Sequence, residues 1–107
     1  DQGSQSRAIT DLALTGLNLG HATVRVQSIC ENLAGKNLKH LKKWQYKLAD
    51  AFLLASKGKC DEEFKQASNL LYQELIAEVG DSAQVEAIQG MFIRINLTLK
   101  RSASKIN

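Results

Sequence analysis

Val85-Glu86-Ala87-Ile88-Gln89-Gly90-Met91-Phe92-Ile93-Arg94-Ile95-Asn96-Leu97-Thr98-Leu99 is the stretch that decides the fold. Two periods compete in it. Val85, Ile88, Phe92, Ile95 and Leu99 recur at steps of three and four, which places them on one stripe of a helix. Ile93, Ile95, Leu97 and Leu99 instead alternate with Arg94, Asn96, Thr98 and Lys100, as a half-buried strand would. A strand here needs a partner. Val24 and Val26, alternating with Arg25 and Gln27, offer one, and the pair would make an α+β fold. An isolated two-stranded ribbon is marginal in water, however. The helical match is also longer, and Asp81 followed by Gln84 resembles a capping box that opens it. The stretch therefore predicts a helix.

The same spacing recurs upstream. Ala8, Leu12, Thr15, Leu19, Ala22, Val26, Ile29 and Leu33 form one stripe. Leu38, Leu41, Gln45, Leu48, Phe52 and Ala55 form a second, and Phe64, Ser68, Leu71, Leu75 and Val79 a third. No proline interrupts any of them. The predicted fold class is all-α: an antiparallel bundle of four helices, or of five if the first breaks near Gly20. Residues 7–34 as one helix would be about 42 Å long, longer than the others, and Gly16 and Gly20 each cost about 1 kcal/mol inside it. Gly35, Gly58 and Gly80 read as helix stops, Asn37 as the N-cap of the second helix, and Asp61, Glu62 and Glu63 as negative charge on the first turn of the third. Trp44 is expected at the edge of its stripe, partly buried.

At 107 residues, 44% of them hydrophobic and 23% charged, the chain has the composition of a single globular domain, 1–107, with polar ends at 1–6 and 101–107. The chain opens on Asp1, and no charged n-region precedes an apolar h-region, so any signal peptide is expected to be already removed. No apolar run is long enough to cross a bilayer, so no membrane insertion is expected. Cys30 and Cys60 leave the compartment open. A bridge between them would indicate a periplasmic or secreted protein, and free thiols the cytoplasm. An unbroken helix over 38–57, roughly 30 Å long, would hold the two cysteines near opposite ends of the bundle, too far apart for a disulfide.

No catalytic constellation is visible. CxxC, HExxH, GxSxG and GxxxxGK[ST] are all absent, and neither His21 nor His40 has a partner at ligand spacing, so no metal, cofactor or enzymatic activity is expected. An enzyme would require a site dispersed along the chain. Two surfaces remain. Lys39, Lys43 and Lys47 fall within about 80° of the second helical wheel, with Tyr46 on the same outward face. An aromatic among lysines suits a nucleic acid or an acidic surface, but the charge pattern favours a solvated face with Lys47 paired to Asp50. The fourth helix carries a second apolar stripe, Gly90, Ile93 and Leu97, more than 100° from its core stripe. That stripe is either buried by a neighbouring helix or reserved for another chain. The sequence thus points first to a non-enzymatic protein-binding module of the adaptor, chaperone-like, inhibitor or immunity type. Its partner would be a second copy or another protein, met through Gly90, Ile93 and Leu97.

Overall fold

The computed structural model describes residues 2–106, with side chains from Arg7 onward except that of Ala8, the first member of the predicted α1 stripe. It consists of four helices, α1 (Gln2–Ala34), α2 (Leu41–Ala55), α3 (Glu63–Val79) and α4 (Ala83–Ile106), with no strand among the described residues. Residues 85–99 are helical throughout, so the helical period prevails over the alternating one. Every pair of helices is in contact, as in a compact bundle.

The first helix does not break. It passes through Gly16 and Gly20 as one element, and Gly16 has a packing reason to be glycine. A Cβ there would lie 3.1 Å from Cζ of Phe52, so its absence seats the Phe52 ring against α1. At 33 residues α1 outruns α2 and α3, and the molecule is 52 Å long but only 21 by 20 Å across. Only α4 keeps pace. The end expected at 101–107 as a polar tail is helical to Ile106, with Ser102 and Ala103 buried, because α1 gives it a surface to lie on. The two helices run antiparallel, with Lys105 of α4 within 3.9 Å of Asp11 of α1. The other polar end, 1–6, is helical from Gln2; Asp1 and Asn107 lie outside the described residues.

The core is centred on Trp44, which is fully buried rather than half-exposed at an edge. Its ring packs on Phe64 of α3 at 5.8 Å and Phe92 of α4 at 5.2 Å. Its indole N–H donates to Oγ of Ser68 at 2.9 Å, and the Ser68 hydroxyl donates in turn to the Phe64 carbonyl. Leu19, Val26 and Cys30 close this core from α1. Ser68 therefore occupies the third stripe as the partner that a buried indole needs.

The helix ends follow the glycines more closely than the caps. Gly35, Gly58 and Gly80 all have φ between 67° and 78°. That left-handed conformation suits a residue without Cβ and stops a helix. Asn37 does not cap α2, which starts at Leu41. The donors ahead of that start, the N–H groups of Lys39 and His40, are held by the Glu74 carboxylate of α3 at 2.6 and 2.8 Å. Asp61 accepts the Glu63 N–H at the start of α3. At the start of α4 the cap is one residue later than expected, where Ser82 Oγ accepts the Val85 N–H at 3.3 Å.

Cys30 is buried near the C-terminal end of α1 and Cys60 is exposed between α2 and α3, both as free thiols. The expected alternative of a bridge is overturned. Helix α2, 15 residues and about 22 Å long, separates the two ends of the bundle on which they sit.

Ser68→Ala leaves the Trp44 N–H buried without an acceptor. Urea unfolding is expected to show a loss of about 1–3 kcal/mol. Gly20→Ala, with nothing within 4 Å of the added Cβ, is expected to gain about 1 kcal/mol in the same measurement. Gly16→Ala is expected to gain less than Gly20→Ala, because its Cβ crowds the Phe52 ring.

Candidate functional site

On α4 the buried arc comprises Val85, Ile88, Met91, Phe92, Ile95 and Leu99. The second stripe turns the other way. Ile93 is 57% exposed and Leu97 46%, so no helix of the chain covers them. Gly90 lies on the same side, half-buried, and a Cβ placed there would meet nothing within 4 Å. The three residues thus share an outward face on a rigid helix, as 3.6 residues per turn requires.

The basic set around α2 is less concerted. Lys39 lies in the bend before α2 and not on its wheel, with its backbone N–H on Glu74. Lys43 is exposed on α2. Lys47 pairs across the helix interface with Glu63 of α3, and not with Asp50. The hydrogen bond to Glu63 and its charge raise the Lys47 pKa, and the same bond and charge lower that of Glu63. Tyr46 is 63% exposed. It stands one residue, about 100°, round the helix from Lys47. One carboxylate therefore sits among the lysines and a second beneath Lys39. His21 lies on α1 and His40 just before α2, and among the described residues no three His, Cys, Asp or Glu side chains converge to hold a metal.

The structure also assembles a surface that no single segment displays. Between α1 and α4 runs a groove of about 510 Å³, lined by His21 and Arg25 of α1 and by Arg94 and Thr98 of α4. It continues past Thr98 to Arg101, Asp11 and Lys105. No carboxylate lines its first part, and among the described residues none pairs with Arg25, Arg94 or Arg101. A local signal for half of it exists in the sequence: Arg94 and Arg101 are seven apart, and Lys105 follows Arg101 by four, so all three share one side of a helix. Reading 101–107 as a tail hides that side.

The two thiols differ sharply. Burial, with Glu74 and Glu31 adding to it, pushes the Cys30 thiol up to about 12. Under native conditions a thiolate-selective alkylating reagent is expected to label Cys60 and spare Cys30, as read by mass spectrometry. The unfolded chain releases the Cys30 proton near its ordinary value of 9.0, while the folded chain keeps it to about 12. Stability from this group is therefore complete below about pH 9 and falls as pH rises towards 12. Urea titrations of wild type and Cys30→Ala are expected to diverge in slope across that window.

Comparison with known proteins gives no matching family model, no matching curated protein and no matching solved structure.

Proposed function

We propose that the chain is a non-enzymatic helical protein-binding module of the adaptor, chaperone-like, inhibitor or immunity type, engaging a protein partner through the outer stripe of α4. One observation carries the reading: Ile93 and Leu97 stand more than two-fifths exposed beside Gly90, on a helix whose opposite arc already fills the core. Apolar side chains aligned on an exposed helix face favour association, because burying them against a partner releases water from both surfaces. Gly90 suits this role, since a partner backbone can approach a helix closely where no Cβ intervenes. A nucleic-acid or acidic-surface role through Lys39, Lys43, Tyr46 and Lys47 has less support, because Glu63 and Glu74 bring negative charge into that set.

The test separates binding from folding. Displayed helical peptides selected on the wild-type chain supply the binding assay. Ile93→Asp is expected to melt within about 0.5 kcal/mol of wild type, as exposed substitutions do, and to lose the selected peptides. Gly90→Ala is expected to gain about 1 kcal/mol of stability from its better helix propensity and still to bind more weakly. If Ile93→Asp unfolds the chain, or if both variants bind as wild type does, the reading fails.

A further inference from the structure

Beyond the outer stripe of α4, we infer that the groove between α1 and α4 is a further docking surface, whose occupant is an acidic amphipathic helix. The two walls of the groove have matching layouts. On α4, Arg94, Thr98, Arg101 and Lys105 recur at steps of four, three and four. On α1, Asp11, Thr15, Asn18 and Ala22 do the same. This is the spacing by which helices interlock side chains along a shared seam. All eight positions are exposed or half-exposed, so both seams are open to a further helix. The groove runs from Arg25 to the level of Asp11, fourteen residues of α1 or about 21 Å, which matches a helix of about four turns.

The chemistry of the walls selects the occupant. Leu12, Ala22 and Ile106 supply apolar contact, while Arg25, Arg94 and Arg101 supply cations with no ion-pair partner among the described residues; Asp11, at the far end, is already paired with Lys105. Burying these guanidinium groups without countercharge would be costly, so the occupant must bring carboxylates alongside its apolar residues. A second copy of the chain is a poor fit. A twofold dimer sets the same patch against itself, which would bring Arg25, Arg94 and Arg101 of two copies together. An anionic bilayer shares the charge but is flat, and the site is a concave channel between two helices.

The experiment is a selection on the wild-type chain from displayed helices of about four turns, with leucines fixed at steps of four and three and the flanking positions drawn from Glu, Gln and Lys. Glu is expected to be enriched. Binding of the selected helices is expected to fall at least tenfold or so in the exposed double variant Arg25→Glu with Arg94→Glu, at an unchanged melting temperature, and to be restored by exchanging their Glu for Lys. Enrichment of Lys or Gln overturns the inference. So does Glu enrichment that is indifferent to the charge reversal, or binding to phosphatidylserine vesicles in place of any peptide. If neutral helices are enriched and are lost in Ile93→Asp, the acidic partner is excluded while the α4 docking face stands. If nothing is selected, both readings fall.

Discussion

The hydrogen bond from the Trp44 indole to Ser68 is the constraint on which the bundle depends. A fully buried indole must find an acceptor, and Ser68 is in reach only when α2 and α3 hold one register. The tilted contacts of the same ring with Phe64 and Phe92 extend that register to α4. Three helices are thus fixed around a single side chain. The fourth, α1, closes the core with Leu19, Val26 and Cys30, and its position is set where Phe52 enters the gap left by Gly16.

Charge is distributed with comparable economy of partners. Glu74 and Glu63 are spent inside the molecule, one on backbone N–H groups ahead of α2 and the other on Lys47. The net charge of +3 therefore understates how basic the α1–α4 side is. Arg25, Arg94 and Arg101 have no ion-pair partner among the described residues, and exposed cations along a channel concentrate anionic groups of an approaching partner.

How much of this was legible in the sequence depended on range. The three-four spacing placed Leu19, Val26, Leu48, Leu71, Ile88 and Leu99 correctly in the core, because helical periodicity is a local property. The glycine stops at 35, 58 and 80 were equally local. Trp44 was placed too far towards the surface, because its burial depends on Ser68, 24 residues away. The donors before α2 were assigned to a local cap at Asn37, whereas Glu74 reaches them from another helix. The outward stripe of Gly90, Ile93 and Leu97 was visible from one helix alone. The cationic groove was not, because half of it belongs to α1 and it exists only once that helix lies against α4.

The uneven hold on α1 has a consequence for motion. Of the side chains described, α4 buries eight of 24, whereas α1 buries three of 27, all from Leu19 onward. Among the described residues, its N-terminal half meets the bundle through half-buried Leu12, Thr15 and Gly16, the last against the Phe52 ring, and through the exposed ion pair of Asp11 with Lys105. Opening free energy tracks buried contact, so this half sits at the low end of the stability range of the molecule. The end of the groove lined by Asp11, Leu12 and Thr15 is therefore the first to open, and the end at Arg25, set among buried Leu19, Val26 and Cys30, the last. The channel is an adjustable jaw whose fixed side is α4.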